Sequence, residues 1–358
     1  MIYFILPLLS FIASSLSVLK IQGTKHLHKL LGILIVFVYF IIVGLRGEGI
    51  GTDYYQYEGF FGNPYYTEPG FALLMIVTKA IFNNYHFFLV VLFCFNTYLR
   101  IKLFRLASKE VSISLLMMFG FWMLVYDMNG IRQGFSLSFI GWAGYYAYKK
   151  NLKLFLVFAA IATSIHYSSF LFFIFYFFVN KVNFEKKKML FIIIFLYILA
   201  LFNISGYLFS FFVNSSASGI LVDKVDAYSK MNEYNSNTVF SFNTFHRIFI
   251  FLVVFFTIDK ISADKDFKKF LLMAAFLNIS VFLLMSRFEI IAVRGSLPFR
   301  FFELIFFSYL PFCFKNKHTQ FWVTFLLYLY ICFQIFTTIN VKNDVDNTLM
   351  PYKNILFG

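Results

Sequence analysis

Charge is what this chain has least of. Only 13% of its 358 residues are Asp, Glu, Lys or Arg, about half of the roughly 25% that keeps the surface of a soluble domain wet. A soluble globular enzyme is excluded on that ground. Proline is scarce, at six residues, and no Pro/Ser-rich linker divides the chain. Cysteine is scarcer. Cys94, Cys313 and Cys332 all sit inside apolar runs, with neither a paired framework nor metal-ligand spacing. No two histidines stand at metal-ligand spacing, so no metal site is expected. There is no phosphate loop and no dinucleotide fingerprint in context, and no cofactor is expected.

What is there is apolar. Sixty per cent of the residues are hydrophobic and 56 are Phe, which excludes disorder. The apolar runs are long and lack the strict alternation of a lipid-facing barrel strand. The expected fold class is therefore an all-α polytopic integral membrane protein. With about 17–20 apolar residues taken as one crossing, spans fall near 1–18, 30–45, 86–104, 112–126, 132–148, 153–166, 167–181, 189–211, 244–259, 269–286, 298–314 and 320–338. That makes about 12 transmembrane helices in a single transmembrane domain over 1–358. The segment 71–84 is apolar but short, and it reads as re-entrant or interfacial.

Positive charge is not scarce: 31 Lys and Arg stand against 17 Asp and Glu, a net +14. Nucleic acid is not the expected partner, because lysines here hold loops at the cytoplasmic face and meet anionic lipid of the bilayer. One set of loops carries nearly all the lysines, with Arg100 and Arg105 among them. The other set is 46–69, 127–131, the turn near 166, 212–243, 287–297 and 339–358. By the positive-inside rule it faces outward. Six of the eight arginines, Arg46, Arg132, Arg247, Arg287, Arg294 and Arg300, fall on or near that outer side. Arginine near hydrocarbon costs at least about 2.5 kcal/mol on insertion scales, and a planar guanidinium fork suits bidentate phosphate binding. The arginines thus suggest a site for a polyanionic ligand.

Four stretches carry the candidate residues. The first, Gly44 to Tyr57, combines glycines, Arg46, Asp53 and the tyrosines Tyr54 and Tyr57. It reads either as a site for a lipid-linked sugar phosphate or as an ordinary turn with an Arg–Asp pair. The second, Asp127 to Gly134, sets Asn129 to cap a helix beside Arg132; the plainer reading is an Asp127–Arg132 surface pair. The third centres on His166, whose imidazole suits proton abstraction near pH 7, or else is an interfacial His with a hydrogen bond; His246 is its rival. The fourth holds Arg287, Glu289, Arg294, Arg300 and Glu303, with Arg300 and Glu303 spaced to pair and Arg294 free for a ligand. The polar loop 212–243 could close as a lid.

At these stretches the chain resembles the EpsG/Wzy-type family of bacterial polysaccharide polymerases. The matching pieces are Arg46 with Gly51-Thr52-Asp53, then Glu68-Pro69-Gly70-Phe71, then Asn129-Gly130-Ile131-Arg132-Gln133. Ile165-His166-Tyr167-Ser168, Arg294 and Pro351-Tyr352-Lys353 complete the set. Gly134-Phe135-Ser136 departs from the smaller, alanine-rich residues expected there. The resemblance implies a GT-C-like glycosyltransferase of the bacterial inner membrane, independent of metal and nucleotide. It implies transfer of a growing glycan from undecaprenyl diphosphate to a lipid-linked repeat unit at the periplasmic face. A flippase and a chain-length regulator would be its protein partners. On this reading Arg46, Arg132, Arg287 and Arg294 hold the diphosphate, and Tyr54, Tyr57 and Gln133 contact sugar. His166 acts as base, with Asp53 second. The rivals are an O-antigen ligase and a flippase or transporter of lipid-linked oligosaccharide.

Overall fold

Long runs of Phe, Leu and Ile, cut at intervals by Asn, Ser, Gly and Pro, dictate helices with marked ends. The computed structural model describes residues 2–183, 185–202, 238–341 and 348–356. Its helices are α1 (Ile5–Leu19), α2 (Lys25–Tyr39), α3 (Tyr54–Gly62), α4 (Pro69–Ile81) and α5 (Tyr85–Ala107). Next come α6 (Val111–Met118), α7 (Ile131–Tyr148), α8 (Leu152–Ile165), α9 (Phe173–Asn180) and α10 (Lys186–Leu201). The last are α11 (Phe242–Thr257), α12 (Lys265–Leu284), α13 (Glu289–Arg300), α14 (Glu303–Phe307) and α15 (Lys317–Val341). Among the described residues the chain is all-helical and has no strand. The start signals are local. Asn84 accepts from Phe87 N–H to open α5, and Asn151 accepts from Leu154 N–H to open α8. Pro69 opens α4, where its missing N–H costs nothing.

Among the described residues six helical stretches are long and apolar enough to cross a membrane: Ile2–Leu19, Lys25–Gly44, Tyr85–Ala107, Phe242–Lys260, Lys265–Leu284 and Lys317–Asn340. Shorter apolar helices accompany them, among them α4 with 13 residues. At 1.5 Å per residue α4 is about 20 Å long, short of a bilayer's roughly 30 Å. Among the described residues two of the apolar runs are interrupted by turns. The run 112–126 stops at Met118 and resumes as a π-helical turn, Met123–Asp127. The run 298–314 is broken into the end of α13, α14 and a 3-10 turn, Leu310–Cys313, with Pro298 and Pro311 unable to donate. Most of the candidate lid loop, through residue 237, lies outside the described residues.

The described residues fall into two compact units, Met1–Phe170 with Leu304–Gly358, and Leu171–Glu303. Within the first, an aromatic core of Tyr57, Phe61, Phe71, Tyr85 and Phe88 joins α3, α4 and α5 and continues to Ile131 and Ile165. This core is what presses the start of α7 and the end of α8 toward the first loop.

The C-terminal residues 348–356 are strapped onto that loop. A second π-helical turn, Phe40–Gly44, follows α2. Its Leu45 N–H bonds Phe40 O, five residues back, so Ile41 O loses its α-helical donor. Asn354 Nδ2 at 2.8 Å and the Tyr352 hydroxyl at 3.0 Å donate to it instead. Gly47 N–H donates to Lys353 O and Ile355 N–H to Leu45 O, flanking the bridge between Arg46 and Asn354. A Cβ on Gly47 would sit 2.9 Å from Lys353 Cβ, which is why glycine stands there. Asn354→Ala removes one of the two donors and should lower stability by about 1–3 kcal/mol, read as a fall in the thermal unfolding midpoint of the purified protein.

Candidate functional site

Two adjoining polar clusters form in the first unit, one buried and one partly open. The buried one is built on Asp127, the last residue of the π-helical turn that precedes α7. Its carboxylate lies 2.8 Å from NH1 of Arg100, and both side chains are almost wholly enclosed. The Tyr39 hydroxyl donates to it at 2.5 Å and Asn96 Nδ2 at 3.1 Å. Arg100 is then completed by Ser138 Oγ at 2.9 Å and Gly134 O at 2.8 Å. Arg46 reaches the same turn from the other side. Its NH1 donates to Asp127 O at 3.1 Å and to Val43 O at 3.2 Å. Arg46 is 2% exposed and forms no direct ion pair among the described residues, though the Asp127 charge acts on it; its Nε has no hydrogen-bond partner there. Two buried guanidiniums therefore share one carboxylate, and the cluster keeps an excess positive charge.

The first loop is locked against this turn by close backbone approach. Gly51, at φ +107°, packs so that a Cβ would stand 2.4 Å from Met128 O. Thr52 N–H donates to Asn129 Oδ1 at 2.7 Å. Asn129 does not cap α7, as its sequence position suggests; Gly130 occupies that place. The π-helical turn again explains the difference. Met128 N–H bonds Met123 O, which strips Leu124 O of its donor, and Asn129 Nδ2 fills the gap at 2.9 Å.

The open cluster gathers Glu68, Arg132 and His166. Arg132 NH1 lies 2.6 Å from Glu68 Oε2, and its Nε lies 3.5 Å from the Tyr57 hydroxyl. The guanidinium carbon stands 5.5 Å from the Tyr57 ring centre and 5.4 Å from that of Phe60, a cation–π bracket. NH2 makes no hydrogen bond to a described residue, and the side chain is 22% exposed, so one edge of the fork is presented outward. His166 Nδ1 lies 3.3 Å from Glu68 Oε1. That approach is in ion-pair range but off the line of a hydrogen bond, and neither ring nitrogen has a hydrogen-bond partner. The Glu68-Pro69-Gly70 turn makes the meeting possible. Gly70 lies against the end of α8 so tightly that a Cβ would be 2.3 Å from Ser164 Oγ.

Burial pushes the Glu68 carboxyl up, but the His166 contact and the Arg132 charge outweigh it and bring the pKa from 4.5 to about 2. A depressed carboxyl pKa stabilises the fold above its free value and loses that contribution only as pH falls through the folded value. Here the loss runs from about pH 4.5 down to pH 2. Infrared difference titration should therefore show one carboxylate, absent in Glu68→Gln, still ionised at pH 3.5.

The sequence candidates divide as follows. Arg46 donates to Asp127 O, whereas Arg132, itself part of the 127–134 stretch, pairs with Glu68. Tyr57 stacks on Arg132. Gln133 is buried with Nε2 unpartnered. Tyr54 is 1% exposed and packs edge-on to Tyr55 and Tyr85, with its hydroxyl 3.4 Å from His86 Nε2. Asp53 precedes α3 without capping it, and its carboxylate makes no hydrogen bond to a described residue. Arg287 and Arg294 belong to the second unit, where Arg287 is half-buried and Arg294 is exposed. In that unit the expected Arg300–Glu303 pair forms at 3.3 Å, and Asn278 bridges Glu303 Oε1 to Arg247 NH1.

Two residues escaped the sequence argument. Arg100 counts with the lysine-rich loops when charge alone is read. It lies instead inside α5, four residues after Asn96 on the same buried face, and it, not Arg132, pairs with Asp127. That i, i+4 spacing was the available signal. Glu68 carries no signal beyond its place before Pro-Gly, because its partners come from α7 and α8.

The family model described as EpsG matches residues 29–354, about nine-tenths of the chain. This is the family to which the order of motifs points. No curated protein and no solved structure matches the chain.

Proposed function

Because the chain belongs to the EpsG family, we propose that it is a multi-pass membrane polysaccharide polymerase of GT-C-like architecture, with about twelve crossings in one membrane domain. It transfers a growing glycan from undecaprenyl diphosphate to a lipid-linked repeat unit at the periplasmic face of the bacterial inner membrane. The observation that carries the reading is the Glu68–Arg132–His166 cluster: an outward guanidinium edge beside an imidazole with unpartnered nitrogens.

The chemistry follows from these groups. With Nδ1 turned toward Glu68, His166 Nε2 is left as the base. It takes the proton of the acceptor hydroxyl as the new O–C1 bond forms and the bond from C1 to the diphosphate oxygen breaks. The departing diphosphate gains negative charge, and the free edge of Arg132 is positioned to meet it. The unbalanced Arg46 adds fixed positive potential behind the Asp127 turn. The leaving group is already good, so the residues themselves supply the proton transfer and charge stabilisation. The Tyr57 and Phe60 rings hold Arg132 in place and give the sugar an apolar face.

The test is extension of a defined undecaprenyl-diphosphate repeat unit by the purified protein. Chains longer than one repeat unit, formed without nucleotide, are expected. Hydrolysis alone, or movement of the unit across the bilayer without a new glycosidic bond, would reject the reading.

A further inference from the structure

A cavity of about 510 Å³ opens between α2 and α5, walled by Val36, Phe93, Thr97 and Ile101 and lined also by Lys102 and Arg105. It lies in the range of ligand pockets, roughly 300–1,000 Å³. The two helices meet through Tyr39 and Phe40 against Phe93, with ring centres 4.8 and 5.5 Å apart. Beyond that contact they leave the cavity open. Both belong to the stretches long enough to cross a membrane, so the apolar wall sits at hydrocarbon depth. No part of it is shared with the Glu68–Arg132–His166 cluster.

Three features point to an occupant with an apolar tail and an anionic head. Lys102 and Arg105 are exposed and have no carboxylate partner among the described residues. Lys102 Nζ instead leans 5.6 Å from the ring centres of both Tyr98 and Trp142, with the Tyr98 hydroxyl 3.5 Å away. Thr97 is 7% exposed, and its hydroxyl has no hydrogen-bond partner among the described residues. A helical threonine ordinarily bonds the carbonyl one turn back, so this donor is left for whatever fills the cavity. The position along α5 matters as well. The helix spans 23 residues, about 34 Å. His86 near its start touches Tyr54 of the first loop, and Arg105 stands at the other end.

We infer that this groove is a binding site for an anionic phospholipid of the leaflet opposite the candidate active site, with one acyl chain against Val36, Phe93 and Ile101. The phosphate sits between Lys102 and Arg105, and a head-group or ester oxygen accepts from Thr97. The inference is independent of the polymerase reading, because the lipid is bound and not consumed.

Native mass spectrometry of the full-length protein with phosphatidylglycerol or phosphatidylcholine of equal chain length tests it. Phosphatidylglycerol should be retained preferentially. A basic residue near an anionic surface is worth a factor of roughly five, so Lys102→Gln with Arg105→Gln should weaken phosphatidylglycerol binding about 25-fold and abolish the preference. Cys94→Trp, which keeps both charges but fills the groove from an exposed position, should release both lipids. These side chains are exposed or partly so, and unfolding midpoints in detergent should stay at the wild-type value. Equal retention of the two lipids by the wild type would overturn the site. So would a preference surviving both sets of changes, or full occupancy by inorganic phosphate.

Discussion

Replacing His166 with Ala is expected to lower the initial rate of glycan extension by roughly 10²–10⁴-fold, the usual worth of a positioned general base. Arg132→Ala should lower it by about 10²–10³, the effect of removing one group that meets developing charge. The two variants should differ in kind. Among the described residues the His166 side chain is joined to the cluster only through a 3.3 Å approach to Glu68, so its loss should leave the Arg132–Glu68 pair standing and donor binding intact. Arg132 holds Glu68 at 2.6 Å and is held by two rings, so its loss weakens donor binding too. Arg132→Lys should recover little, because a point charge replaces a fork that holds Glu68 with one edge and keeps the other free. Glu68→Gln should fall between wild type and His166→Ala, since it keeps the shape but not the charge that orients the imidazole. Rates of a single addition, measured with saturating and limiting donor, separate these effects. Wild-type rates in His166→Ala at normal expression would move the base elsewhere, with Asp53 next in line. Wild-type rates in Arg132→Ala would remove the basis of the polymerase mechanism.

Asp127→Ala is expected to cost about 3–5 kcal/mol, the penalty for leaving a buried charge without its partner. The loss strips Arg100 of its carboxylate and deprives Tyr39 and Asn96 of their acceptor. It also leaves Arg46 and Arg100 repelling each other across the turn. In a protein whose net stability is commonly 5–15 kcal/mol, this is enough to reduce the yield of monodisperse protein sharply. The paired change Arg100→Met with Asp127→Leu should restore much of the stability, because well-packed apolar residues often replace a buried ion pair without loss. Thermal unfolding midpoints of the single and double variants decide this. If Asp127→Ala unfolds at the wild-type temperature, the Arg100–Asp127 pair does not hold the first loop in place. Recovered stability with lost activity in the double variant would assign a functional role to the Arg100–Asp127 pair itself, because Arg46 and the excess positive charge of the cluster are kept.

The class of the protein and its family were readable from residues in a row. Hydropathy over about twenty residues, the imbalance of lysine and arginine between loops, and glycines and prolines at helix ends are local properties, and they do not depend on which helix packs where. The placing of Gly51, Gly70 and Gly134 is of this sort, although the reason for each emerges only from what a Cβ would strike: Met128 O, Ser164 Oγ and Tyr126 O. The pairings are a different matter. Arg100 with Asp127, Glu68 with His166, and Asn354 with Ile41 O each join distant parts of the chain. Charge patterning along the sequence favoured nearer partners, such as Arg132 for Asp127, because electrostatic attraction carries no information about direction. Packing supplied the direction. Two π-helical turns each rotated a helix end by one residue and freed a carbonyl, and an asparagine satisfied each one: Asn129, just past its own turn, and Asn354, from the far end of the described chain. A buried polar group must find a partner or lose several kcal/mol in a medium without water, and which partner it finds is settled by the assembled bundle.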